Sequence, residues 1–302
     1  MDGRGAIGRS ASTVEAPAKI NLSLHVVGRR ADSYHLIDGL VVFAGVGDRL
    51  TIEAAREDSL TIRGPMAFGT PTAGNILTKA LAAARATAAS RGIRIGPLAL
   101  HLEKNLPVAA GLGGGSADAA ALLRWIAGRH PILNAELMAE AAALGADVPM
   151  CMSWTPSRVS GIGEIVELLP AMPALSLVLV NPNVPVETAS VFRALETASN
   201  APPLPLPSVG FSGYDELLSY LALCRNDLEA PARTLAPVIG KIIDRLEATD
   251  AQLVRMSGSG GTVFAIYETG AQAATATEAI ADEHPGWWVR PTRSFGTSEA
   301  RR

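Results

Sequence analysis

The sequence predicts an α+β fold with two domains, and three observations lead to this prediction. The chain has 302 residues, of which 48% are hydrophobic, so each of two domains can have its own core. In the first half, strand-like segments precede any helical segment. In the second half the predicted elements follow the order β-α-…-α-β-β-α-β, which is typical of a split βαβ sheet with helices on one face. We expect the domains to span 1–160 and 161–302.

The first predicted strand runs from Lys19 to Val26, where polar and apolar residues alternate strictly. A period of two places Lys19 and Asn21 side by side on the polar face of a half-buried strand. Two interpretations fit this face: a surface in contact with solvent, or a functional site to which both side chains belong. A polar loop follows at 28–35, and then come strands near 40–44, 50–54 and 60–63, with a turn at Gly47 and Asp48.

The remaining elements follow from capping residues and apolar runs. Asn75 is a suitable N-cap for an alanine-rich helix from 76 to about 90, which stops at Gly92. A strand at 97–104 comes next. Further strands are predicted near 175–180, 252–256, 262–267 and 287–290, and helices near 135–144, 188–195, 235–248 and 271–283.

The stretch from Pro107 to Ala121, PVAAGLGGGSADAAA, predicts a phosphate-binding loop. Glycines allow positive φ and a close approach of ligand to backbone. The following helix offers unpaired N–H groups and the positive end of its dipole, and Ser116 is expected to be its N-cap. A flexible loop before a core helix is the alternative. The glycines that open this backbone are Gly111, Gly113, Gly114 and Gly115.

Three better-known phosphate-binding patterns do not fit this loop. The Walker pattern needs a lysine directly after the last glycine, and a dinucleotide fingerprint needs a third glycine, but Ser116 occupies that position. The protein-kinase set also fails, because the chain contains neither His-Arg-Asp nor Asp-Phe-Gly.

Asp147 is a second candidate for a functional residue, since it stands directly before Val148 and Pro149 in an otherwise apolar stretch. A buried carboxylate is costly without a partner, so this position is unusual and a functional role is one interpretation. A helix N-cap is the other, and on these residues alone it is the preferred one.

Composition excludes several classes of protein. A net charge of -3 and a pI near 6.0 give no basic surface for nucleic acid or anionic lipid. The spacing of Cys151 and Cys224 fits neither a metal site nor a disulfide framework, so we expect core thiols in a reducing compartment. The first twelve residues lack an apolar region typical of signal peptides, and no apolar run approaches the ~20 residues of a membrane span. We therefore expect a cytoplasmic protein with a loose N-terminal tail.

Three separated stretches resemble one superfamily, the GHMP kinases: 16–22 (APAKINL), 107–121 and 256–262 (MSGSGGT). Three finer matches resemble the members that phosphorylate a cytidine-diphosphate sugar alcohol in the non-mevalonate isoprenoid pathway: 30–35 (RADSYH), 144–149 (LGADVP) and 226–229 (NDLE). The resemblance runs from about Val14 to Pro291. It implies an N-terminal domain like domain 2 of ribosomal protein S5 and a ferredoxin-like C-terminal domain.

The resemblance also implies roles for individual residues, with ATP as phosphoryl donor and Mg²⁺ accompanying it. Lys19 and Asp147 are the expected catalytic pair, with Asn21 beside them. Tyr34 and Phe192 are expected to sandwich the cytosine ring, His35 to read its hydrogen-bonding edge, and Thr188 to line the same cleft. No protein ligand for Mg²⁺ is assigned, although Ser116 is a candidate. The expected ATP-binding residues are Asn75, Lys104, Pro107, Gly111, Leu112, Gly113, Gly114, Gly115 and Ser116.

The chain departs from the family at Ser33, where glycine is usual; a positive φ there would strain the backbone by about 1 kcal/mol. Two other functions stay open: a GHMP kinase acting on mevalonate or homoserine, and an inactive relative that only binds ligand. Tyr34, His35 and Phe192 favour a substrate with a base, while the intact Lys19 and Asp147 argue against an inactive relative. We expect a monomer or homodimer.

Overall fold

Two β-sheets pack face to face, and each carries helices on its outer face. The structure is a computed structural model that describes residues 11–299, so most of the predicted N-terminal tail lies outside the described residues. The layer between the sheets contains residues such as Ile20, Val42, Leu177 and Phe264. Apolar faces of both sheets are thereby buried on two sides, which gives the chain an α-β-β-α arrangement.

The first sheet has the strand order β3-β4-β2-β5-β6, with β1 paired to β2. Helices α1 to α4 cover its outer face. The strands are β1 (Ser12–Arg29), β2 (His35–Ala54), β3 (Ser59–Arg63), β4 (Leu98–Glu103), β5 (Ser157–Gly161) and β6 (Ile165–Leu168). The helices are α1 (Ile76–Ser90), α2 (Gly114–Arg129), α3 (Asn134–Leu144) and α4 (Val148–Ser153), and a short 3₁₀ helix spans Pro131–Leu133.

The second sheet is antiparallel in the order β10-β7-β9-β8. This order confirms the predicted split βαβ sheet, and with the first sheet it confirms the α+β fold. Its strands are β7 (Ser176–Asn181), β8 (Leu253–Met256), β9 (Val263–Tyr267) and β10 (Trp288–Arg293). The helices of this half are α5 (Thr188–Arg193), α6 (Tyr214–Ala222), α7 (Glu229–Leu235), α8 (Val238–Glu247) and α9 (Gly270–Glu283).

The prediction that β1 is half-buried is wrong, because both of its faces are covered. Lys19 and Asn21 are only 5% and 3% exposed, and His25 is fully buried. The register of β1 on β2 shifts between Pro17 and Lys19, which marks a bulge. The polar face of this strand therefore lies inside the protein.

The predicted turn at Gly47 and Asp48 is also wrong, since β2 continues through both residues. Gly47 pairs with Pro17, and a Cβ at this glycine would lie 2.4 Å from the carbonyl oxygen of Ala16. Glycine is thus needed for the close approach of two strands. The neighbouring Asp48 is fully buried.

Strands β5 and β6 form a hairpin at the edge of the first sheet. Residues on both sides of position 160 are therefore part of this sheet. The predicted division between 160 and 161 falls inside the hairpin, and the division of the chain at that point stays a prediction.

Both cysteines are buried free thiols, Cys151 in α4 and Cys224 after α6. Burial raises the pKa of the Cys151 thiol, so it stays protonated. Among residues 11–299, no helix is long and apolar enough to cross a membrane.

Candidate active site

A cleft of about 1260 Å³ lies beside the glycine loop and reaches from α1 to α5. Every candidate site residue predicted from the sequence lines this cleft except Leu112. The side chain of Leu112 is buried in the core, and only its carbonyl group contributes, by accepting a hydrogen bond from the Lys19 N–H at 2.9 Å. Asn75 caps α1 as predicted, with its Oδ1 accepting from the Leu77 N–H at 3.0 Å.

The glycine loop presents the N-terminus of α2 to the cleft. This helix begins at Gly114, and its N-cap is Gly113 in a left-handed conformation with φ 65°. The first helical hydrogen bond runs from Ala117 N to Gly113 O at 2.8 Å, so the N–H groups of residues 114–116 have no acceptor within the helix. The prediction that Ser116 is the N-cap is wrong. These N–H groups form a donor set suited to an anion.

Lys19 and Asp147 meet at the edge of this loop. The Lys19 Nζ lies 3.0 Å from the Asp147 Oδ2 and donates to the Asn21 Oδ1 at 2.8 Å. The Asp147 side chain is 38% exposed, whereas that of Lys19 is 7% exposed. Asp147 immediately precedes α4, but its side chain makes no capping hydrogen bond to that helix. The carboxylate therefore faces the cleft and the ammonium group.

Lys104 lies beneath the loop in a buried cluster with two carboxylates. Its Nζ donates to Asp48 and, at 3.0 Å, to Asp118. Burial opposes the charged form of Lys104, but Asp118 and Asp48 outweigh it and raise the pKa of this amine. Burial raises the pKa of Asp118 to about 7, despite the opposing charge of Lys104. Since the Lys104 ammonium already has two partners, its direct contact with ATP stays a prediction.

At the other end of the cleft, His35 stacks on Phe192 with ring centroids 5.0 Å apart and an angle of 22° between the planes. Tyr34 lies at the rim of the same cleft and is 61% exposed, and its sandwich with Phe192 around the cytosine ring stays a prediction. Burial and the nearby Arg29 lower the pKa of His35 below 6.5. A neutral imidazole offers one donor and one acceptor. Thr188 Oγ1 lies 2.8 Å from Ser259 Oγ on the same wall.

Ser33 adopts a left-handed conformation with φ 73°, as its departure from the family's glycine suggested. Hydrogen bonds hold the turn in place: Ser33 N donates to Arg30 O at 3.0 Å, and Arg29 Nε donates to Ser33 O at 3.2 Å. The surrounding contacts thus maintain a conformation that a residue with a Cβ disfavours.

Replacing Ser33 by glycine is expected to raise the free energy of unfolding by about 0.5–1 kcal/mol. Glycine removes a strain of ~1–2 kcal/mol but costs ~0.5–1 kcal/mol through the entropy of the unfolded chain. Urea denaturation measures the difference. Ala31→Gly is the matched control: it lies in the same exposed turn without a positive φ, so it should lose stability. Equal effects of the two substitutions would contradict strain at Ser33.

Several residues around the cleft were missed as functional candidates. Asp48 was assigned to a turn, although a lone carboxylate between the strand-like segments at 40–44 and 50–54 was a usable signal. Asp118 gave no local signal, because its partner Lys104 lies 14 positions away. Ser257 and Ser259 belong to the glycine turn that carried the resemblance, but the pattern gave no role for their hydroxyl groups. Their partners come from distant segments, so the local sequence does not reveal them.

Comparison with known proteins identifies the superfamily. The family model described as GHMP kinases N terminal domain matches residues 75–153, and that described as GHMP kinases C terminal matches residues 213–286. The crystal structure of a homoserine kinase from Cytophaga hutchinsonii aligns with a TM-score of 0.68 over 97% of each chain, but at 17% identity it shows the fold alone.

Closer relatives share one name. The 4-diphosphocytidyl-2-C-methyl-D-erythritol kinase of Dinoroseobacter shibae is 49% identical over 92% of this chain and 93% of its own length. That of Sinorhizobium medicae is 48% identical over 95% and 97%. A crystal structure of 4-(cytidine 5'-diphospho)-2C-methyl-D-erythritol kinase is 33% identical, with a TM-score of 0.76 over 94% of this chain and all of its own. The chain belongs to the 4-diphosphocytidyl-2-C-methyl-D-erythritol kinases, a group of the GHMP kinases.

Proposed function

We propose that this protein transfers the γ-phosphoryl group of ATP to the 2-hydroxyl of 4-diphosphocytidyl-2-C-methyl-D-erythritol, in the non-mevalonate pathway to isoprenoid precursors. The observation that carries the proposal is the Lys19–Asp147 pair at the edge of the glycine loop, in a chain of this family. We further propose that it acts in the cytoplasm, as a monomer or homodimer, on small molecules and without nucleic acid.

In this proposal the N-terminus of α2 holds the phosphates of ATP. The N–H groups of residues 114–116 and the helix dipole supply positive potential at one place. Gly113 gives the backbone its left-handed conformation, and a Cβ there would lie 3.2 Å from the Cε of Lys19. The glycine therefore also leaves room for the catalytic lysine next to the phosphates.

Asp147 is the proposed general base. Phosphoryl transfer needs reactants in line, neutralised charge and an acceptor for the proton of the attacking hydroxyl. The carboxylate of Asp147 is open to the cleft and can accept that proton. Lys19, which is buried and donates to Asn21 and Asp147, stabilises the charge that develops on the transferred group. Asn21 orients the lysine.

Mg²⁺ fits this site as an ion carried by the nucleotide. Within residues 11–299 no group of three or more His, Cys, Asp or Glu is placed to hold a metal. The cleft offers the Ser116 hydroxyl as a ligand, and Mg²⁺ in kinases keeps several waters and is bound largely through the substrate phosphates. When bound, Mg²⁺ neutralises charge on the β- and γ-phosphates.

The cytosine base is proposed to bind at the aromatic end of the cleft. Tyr34 offers an exposed ring, while His35 and Phe192 form a stacked pair whose imidazole can read the edge of the base. Thr188 and Ser259 add hydroxyl groups. A substrate without a base, such as mevalonate or homoserine, has no use for this aromatic group.

Replacing Phe192 by alanine is expected to lower kcat/KM for the cytidylyl substrate about 5- to 150-fold, since stacking on a base is worth ~1–3 kcal/mol. The KM for ATP should stay within about twofold, because the phosphate loop lies on a different element. Steady-state kinetics with each substrate varied in turn provides the measurement. Val191→Ala is the control for a loss of packing on α5, since Val191 is fully buried in the core. If both KM values changed equally in Phe192→Ala, Phe192 would be a packing residue.

The direct test of the function is turnover by the purified full chain. The protein is supplied with ATP, Mg²⁺ and one of three acceptors, namely the cytidylyl substrate, mevalonate or homoserine, and ADP release is followed. We expect turnover with the cytidylyl substrate alone. Turnover with mevalonate or homoserine but not with the cytidylyl substrate would refute the proposal, and turnover with none would favour an inactive relative.

A further inference from the structure

The turn between β8 and β9, residues 257–261, lies against the back of the glycine loop. Its first residue, Ser257, is fully buried, and its hydroxyl joins two segments of the cleft. The oxygen accepts a hydrogen bond from the Asn21 N–H at 3.1 Å, and the hydroxyl donates to the Gly111 carbonyl at 3.0 Å. One side chain thus connects β1, which carries Lys19, with the loop proposed to hold phosphates.

Close backbone packing surrounds this hydroxyl. Thr262 N donates to Ala110 O at 3.1 Å, which fixes the other end of the turn to the loop. A Cβ at Gly111 would lie 2.2 Å from the Ser257 carbonyl oxygen, so the two segments are in direct contact. A Cβ at Gly258 would lie 3.2 Å from the Asn21 Oδ1. Small movements of the turn therefore reach both the loop and Asn21.

The turn is itself held from behind by the segment 226–229. Asn226 Nδ2 donates to the carbonyl groups of Met256 at 2.7 Å and Gly258 at 2.8 Å. The Glu229 carboxylate accepts from the Met256 N–H at 3.0 Å. These contacts restrain the turn independently of the glycine loop, so the position of Ser257 does not depend on that loop.

We propose that Ser257 is a positioning residue for phosphoryl transfer, whose hydroxyl sets the separation between the glycine loop and the strand that carries Lys19 and Asn21. This inference rests on the proposed function. Asn21 accepts the hydrogen bond that orients Lys19, and Lys19 pairs with Asp147. A displacement of the Asn21 backbone therefore moves Lys19 relative to Asp147. Misplacement by about 1 Å can reduce a rate ~10²-fold.

The test compares Ser257→Ala with Ser294→Ala. Ser294 is also fully buried, and its hydroxyl accepts from the Leu175 N–H at 2.9 Å, but it does not line the cleft. Both variants lose a buried hydroxyl and should show a lower melting temperature. Only Ser257→Ala should lower kcat, by at least ~10-fold, and weaken ADP binding by at least ~3-fold. The KM for the cytidylyl substrate should stay within about twofold, since His35 and Phe192 lie on β2 and α5, and Ser259 is held by its own contact with Thr188.

The inference is overturned if kcat of the two variants agrees within about threefold. If Ser257→Ala fails to fold, Ser257→Cys serves in its place, because a thiol fills the space of the hydroxyl but is a weak hydrogen-bonding group. The same difference from Ser294→Ala is then required. If the wild-type protein does not phosphorylate the cytidylyl substrate, the proposed function fails. ADP affinity still tests the inference in that case, since Ser257→Ala with unchanged ADP affinity overturns it.

Discussion

Replacing Asp147 by asparagine is expected to lower kcat ~10²–10⁴-fold, the range typical of a lost general base. Asparagine has nearly the same size and can still accept a hydrogen bond from Lys19, so the fold and both binding sites should survive. It loses the negative charge and the basicity that accept the proton of the substrate hydroxyl. The measurements are kcat at saturating substrates and dissociation constants for ADP and the cytidylyl substrate, which should change much less than kcat.

Asp58→Asn is the matched control for this variant. Asp58 pairs with Arg85 at the surface, and its side chain is 48% exposed, comparable with the 38% of Asp147. Asp58 does not line the cleft, so the kcat of Asp58→Asn should equal that of the wild type. The catalytic assignment would have to be abandoned if Asp147→Asn kept a normal kcat but melted several degrees lower. Asp147 would then serve the start of α4 only.

Replacing Lys19 by methionine is expected to lower kcat by ~10²-fold or more, because the transferred phosphoryl group loses a buried cation next to it. Methionine keeps the length and packing of the lysine stem beside Gly113. Circular dichroism checks the fold, and steady-state kinetics gives kcat. In this variant Asp147 loses its ion-pair partner, but its carboxylate is partly exposed, so water can solvate the charge.

The double variant Lys19→Met, Asp147→Asn distinguishes a catalytic unit from two independent residues. If the pair acts together, the loss in the double variant should be far smaller than the product of the two single losses. A fully multiplicative loss would mean that the two side chains contribute separately, and the proposed division into base and charge stabiliser would fail.

Local signals in the sequence were sufficient for much of the fold. Helix α1 begins after Asn75 and ends before Gly92, as capping chemistry predicted, and β7 to β10 follow the predicted order. Such elements depend on neighbours within a few residues. The glycine loop and Lys19 also reach the same cleft as expected.

Features that depend on distant partners were not predicted. The alternation in β1 indicated one face in contact with water, but the glycine loop, Asp147 and the turn at 257–261 cover that face, so Lys19 and Asn21 are buried. Lys104 was expected at the nucleotide, yet Asp48, which is 56 positions away, holds its ammonium group. A pattern of single residues carries no information about such pairings.

Strand β1 contributes to each of the three apolar clusters found among residues 11–299. Ala16 packs under the helices of the first sheet, Ile20 lies between the sheets, and Leu24 and Val26 pack with the helices of the second half. The Leu24 N–H also donates to the Arg225 carbonyl at 2.9 Å. A rigid-body hinge between the two halves would have to break this strand. Substrate entry and product release are therefore expected to involve movement of the cleft rim, at the Ser33 turn and α5, while both halves unfold together as one cooperative unit.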